Sequence, residues 1–355
     1  MKVHRVLLAG GAGVVGAQVA AMLHRRQPQV QLIVAGRRVQ AAEEVARPLG
    51  AETLQLDIDG PQFPALAEGT LIVALANDRH DRLLRFALDG GHPYIDVTRW
   101  TERLKQALVC VASGPPPRAP VVFASAWMAA TAGLMARELV QDLASVERIS
   151  LDILYALADR AGPNSVEYLD RLSVPFHTLD GGQWQQRQGF SDGQVANFGD
   201  AGRHTTYRFD TPDQASLPHL LGAATVEARI AFDDRNATRL LRTLVASGVW
   251  KLIAGPRFTP LRRAMLYNPG NGGPHRIRLR AAGTDRQGSP AQRTLLLTDP
   301  AGQTHLTALG TVLQIERLLG LEQPPPAPGV YLGENLLDPC QTKAQLQAEG
   351  VLISE

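Results

Sequence analysis

The chain has 355 residues, 45% of them hydrophobic, which is enough for two domains that each bury a core. Its formal net charge is +2 and the basic residues are scattered, which argues against a nucleic-acid or membrane partner and leaves a small-molecule ligand as the expectation. Lysine occurs only at Lys2, Lys105, Lys251 and Lys343, which disfavours imine-forming catalysis, and Cys110 and Cys340 stand far apart with no zinc or disulfide spacing, so no metal is expected.

From residue 3 to about 125 short β-branched runs alternate with amphipathic stretches. Strands are expected near 6–9, 30–35, 53–56, 71–76, 94–97 and 121–124, with helices at 14–26, 40–48, 79–89 and 101–112. This alternation implies an α/β domain built on a doubly wound parallel sheet, a Rossmann fold. The connection over 59–69 has a weaker helical pattern, and the proline-rich stretch 113–120 reads as a loop. After a helix around 131–143 the texture changes to alternating runs at 148–157, 204–209, 224–232, 275–283 and 292–299, with a helix near 237–247. These predict antiparallel strands and a second, α+β domain. A helical run at 305–319 and a short helix at 343–349 close the chain. No stretch approaches the roughly 18–20 apolar residues of a bilayer span, and with no secretion signal and no disulfide framework a soluble cytoplasmic protein is expected.

Gly11, Gly13 and Gly16 have the G-x-G-x-x-G spacing directly after the first strand and at the start of the first helix. There the glycines permit a tight turn, close approach of a pyrophosphate, and close helix–sheet packing, with Ala12, Val14 and Val15 offering backbone amides. At the end of the second strand a carboxylate would select NAD through the ribose 2′-hydroxyl. The chain instead reads Gly36-Arg37-Arg38, which suits the 2′-phosphate of NADP. Asp57, after the third strand, reads either as an adenine contact or as a loop cap, and Asn77, after the fourth, as a ribose neighbour.

With these features in order, the chain resembles the saccharopine dehydrogenase-like family of NADP-binding oxidoreductases. The resemblance rests on the glycine turn, on Tyr94-Ile95-Asp96-Val97-Thr98, and on the late segments 306–320 and 326–339. It implies a dinucleotide domain over 1–126, an inserted mixed-sheet substrate domain over 127–303, and a segment, 304–355, that packs back on the first domain. A homodimer through the open face or edge of the second domain's sheet is expected because such a sheet must cover its apolar side. Family members carry glycine after the Tyr-x-Asp-x-Thr segment and a proline-glycine pair after the sixth strand. Here Arg99-Trp100 and Trp127-Met128-Ala129-Ala130 stand in those places, which marks divergence on the substrate side.

Hydride transfer to C=O or C=N needs the acceptor carbon held against the nicotinamide and a proton donor for the developing oxyanion or amide. Asp96 and Thr98 at the end of the fifth strand and Trp127 beyond the sixth should border that end of the crevice, although Asp96 reads equally well as a helix cap. Tyr168 and His305 are further candidate donors, and Arg171 and His177 candidate substrate contacts, each with a structural reading beside it. The glycine-rich stretch 267–276 reads as a hairpin connection or a flap. Substrate is expected between the domains, and no catalytic triad can be defined. The alternatives are an NADP-binding sensor or partner-binding protein without turnover and a reductase of an activated C=C bond.

Overall fold

Aliphatic runs with no polar face, such as Leu71–Ala74 and Pro120–Phe123, can only be strands covered on both sides, and they form the centre of a parallel sheet. The computed structural model describes residues 4–160, 162, 167, 168, 170–266, 270 and 272–355. In order come β1 (Arg5–Ala9), α1 (Val14–Arg26), β2 (Gln31–Gly36), α2 (Val39–Ala46), β3 (Glu52–Gln55), β4 (Leu71–Ala74), α3 (Arg82–Gly90), β5 (Tyr94–Asp96), α4 (Thr101–Ala112) and β6 (Pro120–Phe123). These six strands lie in the order β6-β5-β4-β1-β2-β3, all parallel, so the winding direction reverses at β1 and opens a crevice at the carboxyl ends of β1 and β4. The 59–69 connection carries no helix.

The second unit contains α5 (Thr131–Leu139), β7 (Leu143–Tyr155), β8 (Phe176–Asp180), β9 (Gln183–Arg187), β10 (Gln194–Asn197), β11 (Arg203–Arg208), α6 (Asp213–Leu221), β12 (Thr225–Phe232), α7 (Arg235–Ala246), α8 (Val249–Leu252), α9 (Thr259–Leu266), β13 (His275–Asp285) and β14 (Pro290–Asp299). The chain ends with α10 (Gln303–Leu319), β15 (Gly329–Leu332), α11 (Pro339–Ala348) and β16 (Leu352–Ser354). The second sheet has the order β10-β11-β12-β7-β13-β14-β16. Its β7–β12 pair is parallel among antiparallel neighbours, so the sheet is mixed as expected of the second domain: the excursion between these strands is long enough for the crossover that parallel pairing requires. One face of this sheet is apolar, through Ile149, Leu151 and Ile153 on β7 and Ile277 and Leu279 on β13, and α5 and α6 cover it.

Two compact units result, Met1–Ala130 with Thr307–Leu337 and Thr131–Leu306 with Asp338–Glu355. The last segment therefore divides. β15 adds a seventh parallel strand beside β6, whereas α11 packs on α5 and β16 pairs with β14 in the second unit. The expectation that 304–355 as a whole joins the first domain is corrected on this point, because the open edge of β14 accepts the final strand. Within the first unit, Arg26 forks onto Glu316 at 2.9 and 2.7 Å and ties the end of α1 to α10. Of the 267–276 stretch, residues 267–269 and 271 lie outside the described residues.

Candidate active site

The turn between β1 and α1 needs glycine where the chain reverses and where the helix presses on it. Gly10 takes φ +92°, and a β-carbon there would fall 2.8 Å from Ala76 Cβ. At Gly16 a β-carbon would lie 2.4 Å from Gly10 O, so the first turn of α1 presses directly on the loop. Gly13 differs: a β-carbon would meet only Gly10 O, at 3.2 Å. Its bareness serves something outside the fold. Gly10 and Gly11 donate their amides to Ala35 O, and Gly13 to Gly10 O. The amides of Ala12, Val14, Val15 and Gly16 have no acceptor among the described residues, and no acidic side chain occupies the first turn of α1. Four inward donors at the positive end of a 13-residue helix form a cradle that fits a dinucleotide pyrophosphate.

One strand away, Arg37 and Arg38 follow half-buried Gly36 at the carboxyl end of β2. Both are exposed, and neither guanidinium has a hydrogen bond or ion pair among the described residues. Such a donor set fits a phosphomonoester. Asp57 is exposed, and its Oδ1 accepts from Asp59 N at 3.1 Å while its carbonyl accepts from Gly60 N. This is the loop cap that the sequence offered as one of two readings. Asn77 is half-buried just beyond β4.

At the end of β5 the structure departs from the simplest reading. Asp96 is fully buried and both its oxygens are engaged: Oδ1 accepts from Thr98 N at 2.9 Å and Thr98 Oγ1 at 2.8 Å, and Oδ2 from Tyr94 Oη at 2.9 Å and Arg99 Nε at 2.7 Å. Arg99, itself buried, extends to Asp81, with Asp78 Oδ2 3.8 Å away, and its guanidinium lies 5.6 Å from the Phe123 ring centre. Arg103 adds a second cation to Asp81 at 2.8 Å. Burial works against the Arg99 charge, but Asp96, Tyr94 and Asp81 outweigh it and hold the group above its ordinary value. Burial pushes the Asp78 carboxyl up despite the amides of Leu84 and Arg82. Asp96, the catalytic candidate of this strand, spends both oxygens on Tyr94, Thr98 and Arg99 and so fixes Thr98 and Arg99 in place. The sequence marked Arg99 as a departure from the family pattern, but Asp78 and Asp81, which join Asp96 around it, follow the neighbouring strand β4 and could not be grouped with it by spacing.

Beyond β6 the chain turns with three consecutive left-handed residues, Met128, Ala129 and Ala130, at φ 57°, 52° and 70°. Ala130 N donates to Ala126 O at 3.0 Å, closing a left-handed turn that buries Trp127 at its start. Each such non-glycine residue costs about 1–2 kcal/mol, so the surroundings must hold the turn. Thr307 Oγ1 donates to Met128 Sδ at 3.3 Å, and Gly333 packs so tightly that a β-carbon would lie 2.9 Å from Ala130 Cβ. Backbone strain of this kind concentrates at functional sites.

In the second unit, His305 stands in the first turn of α10 with Nδ1 2.8 Å from Oδ2 of buried Asp299. A carboxylate on one ring nitrogen fixes the tautomer and orientation of a histidine. Nearby, Asp159 accepts from Gln303 N at 2.8 Å, and burial raises its pKa to about 6. Tyr168 packs 5.8 Å from the Phe209 ring, and burial, with Asp210 and Asp213 adding to it, raises its phenol above the ordinary value. Arg171 follows, its amide bonded to Tyr168 O. His177 is exposed on the two-stranded β8–β9 hairpin opposite Gln186, a poor position for a buried substrate contact. The sequence found His305 but not Asp299, whose partnership depends on the tight 299–302 turn.

No family model matches the sequence, and no curated protein is significantly similar to it. Among solved structures, the apo saccharopine dehydrogenase (L-Glu forming) from Saccharomyces cerevisiae superposes over 99% of both chains with a TM-score of 0.66 and 12% identity. The chain has the saccharopine dehydrogenase fold. Two others are similar at lower score. A myo-inositol dehydrogenase from Corynebacterium glutamicum ATCC 13032 has a TM-score of 0.42 and 14% identity over 99% of both chains. GenD2 from gentamicin A biosynthesis, in complex with NAD, has a TM-score of 0.45 and 11% identity over 100% of this chain and 97% of its own.

Proposed function

We propose that the protein is an NADP-dependent oxidoreductase that transfers hydride between NADPH and a small carbonyl or imine compound. One observation carries this reading: a turn that needs glycine at Gly10 and Gly16, with four amides and, one strand away, two exposed arginines that have no partner among the described residues. A bound nicotinamide supplies the hydride. The amides of Ala12, Val14, Val15 and Gly16 hold the pyrophosphate, and Arg37 and Arg38 the 2′-phosphate. Asn77 and Thr98 border the crevice, Asp96 acts as a positioning residue through Arg99 and Thr98, and Trp127 is presented by the left-handed turn. In the second unit His305, oriented by Asp299, is the proton donor for the developing oxyanion. Tyr168, held in its protonated form, is the second candidate, with Arg171 as a carboxylate clamp. The chain is read as a soluble cytoplasmic homodimer; the exposed Val195 and Leu352 on the edge strands β10 and β16 support self-association, which sedimentation would check.

Fluorescence titration with NADPH and NADH tests the cofactor. The wild type is expected to favour NADPH by about 10–100-fold, the worth of one charge-assisted phosphate contact, and Arg37→Ala/Arg38→Ala to lose that preference. Equal binding of both cofactors by the wild type would sink the assignment. Turnover is then sought with NADPH and a panel of ketones, imines and enones. On any substrate found, His305→Gln is expected to lower kcat by roughly 10²–10⁴ with NADPH affinity unchanged. Tight NADPH binding with no turnover across the panel would favour a sensor.

A further inference from the structure

The face of the second sheet opposite α5 and α6 is charged, and its register sets the charges in rows. Arg229 on β12 and Arg278 on β13 flank Asp152 on β7; one pair further along, Glu227 and Arg280 flank Ser150. Arg208 on β11 lies opposite Arg229, and Arg148 precedes Ser150 by one pleat. Like charges side by side across strands destabilise a sheet unless anions intervene. Arg208 and Arg229 are provided for: both reach Asp192 Oδ2, at 2.8 and 2.7 Å, and Glu227 Oε2, at 2.9 and 3.2 Å.

The other three are not. Arg278 and Arg280 share the single oxygen Asp152 Oδ2 at 3.7 and 3.5 Å, too far for a hydrogen bond, and Arg148 comes only within 3.6 Å of a Glu227 that already serves two arginines. Asp152 Oδ2 and the Nε of Arg280 are buried with no hydrogen-bond partner among the described residues. Burial and the neighbouring Arg280 hold the Arg278 guanidinium below its ordinary value, and burial raises the Asp152 carboxyl, weakening the one anion present. Yet the side chains of Arg148, Arg278 and Arg280 are 45, 19 and 36% exposed, so this trio is open to solvent.

We propose that Arg148, Arg278 and Arg280 form a binding site for a small dianion, whose carboxylate or phosphate oxygens complete the hydrogen bonds that Asp152 leaves unmade. Planar guanidinium forks suit both oxygen geometries. The site is separate from the glycine turn and does not depend on the proposed reaction.

Isothermal titration of the full chain with malonate and, separately, inorganic phosphate, at ionic strength held constant with sodium chloride, tests it. One saturable site is expected, weakened about tenfold or more in Arg278→Gln/Arg280→Gln and less in Arg280→Lys. Stronger malonate binding identifies a dicarboxylate ligand, and stronger phosphate binding a phosphate ester. The titrations are repeated in Arg37→Ala/Arg38→Ala, which removes the other phosphate donors, and the site lost in Arg278→Gln/Arg280→Gln should remain there; loss in Arg37→Ala/Arg38→Ala with retention in Arg278→Gln/Arg280→Gln would move the binding to the dinucleotide turn and overturn the proposal. Without probe, Arg280→Gln should unfold at or above the wild-type temperature because it relieves crowding. A lower temperature would mean that Asp152 alone satisfies Arg280. That result, or no binding of either probe, would also overturn the proposal.

Discussion

Gly13 and Gly16 look alike in the sequence and do different work. A β-carbon at Gly16 strikes backbone at 2.4 Å, whereas one at Gly13, whose φ of −76° any residue adopts, meets a single oxygen at 3.2 Å. Gly16→Ala is therefore expected to destabilise the fold by about 2 kcal/mol or more. Gly13→Ala should unfold within about 1 kcal/mol of wild type yet lose NADPH binding. Urea unfolding beside NADPH titration separates the two, and equal loss of stability would refute the distinction. Asp96 is the converse case, a residue whose type suggested chemistry and whose surroundings make it structural. Asp96→Asn removes the fully buried counter-charge 2.7 Å from Arg99 and should cost about 3 kcal/mol, as breaking a buried pair does. A change below about 1 kcal/mol in urea unfolding would show that Asp81 and Asp78 suffice.

At the scale of elements, the 14–26 and 101–112 helices are legible in the sequence to the residue, because apolar spacing and the flanking turns are local signals. The left-handed turn at Met128, Ala129 and Ala130 is not, since alanine and methionine are poor predictors of positive φ; packing against Gly333 and Thr307 imposes it. Strand β15 is missed for a similar reason. Four residues after a proline-rich stretch become a strand only because β6 offers a free edge. The tail beyond Leu337 depends equally on its neighbours: Asp338 caps α11 through Gln341 N at 2.8 Å, and Lys343 bridges Glu138 at 2.9 Å. Truncation after Leu337 should uncover the β14 edge and the side of α5, lower the unfolding midpoint and promote association. NADPH binding should persist, and its loss would contradict the division of the chain.

For the whole molecule, two buried groups set opposing pH dependences. Burial lowers His275 from 6.5 to about 3, so the unfolded chain binds more protons between those values, and this contribution to stability is present above pH 6.5 and lost as pH falls. Burial raises Asp159 from 3.8 to about 6, so its contribution is present below pH 3.8 and lost as pH rises through 6. His275→Asn should flatten the rise of stability between pH 3 and 6.5, and Asp159→Asn should steepen it between about 4 and 6. Urea midpoints measured across that range check both signs; parallel shifts of the two variants would refute the opposition.

The sequence alone determined the parallel sheet, the glycine turn and the absence of an acid beside Arg37 and Arg38, because each is encoded within one strand–turn–helix unit by period, bareness or charge. Tertiary structure alone decided that Asp78 and Asp81 join Asp96 around Arg99, that Asp299 orients His305, and that Arg148, Arg278 and Arg280 crowd round Asp152 and Glu227. The crowding of Arg148, Arg278 and Arg280 depends on cross-strand register, and the gathering of Asp78 and Asp81 onto Arg99 on β4 and β5 lying side by side in the sheet. The Asp299–His305 pair, though only six residues apart, depends on how the intervening turn closes. None of these is written in the spacing of residues along the chain.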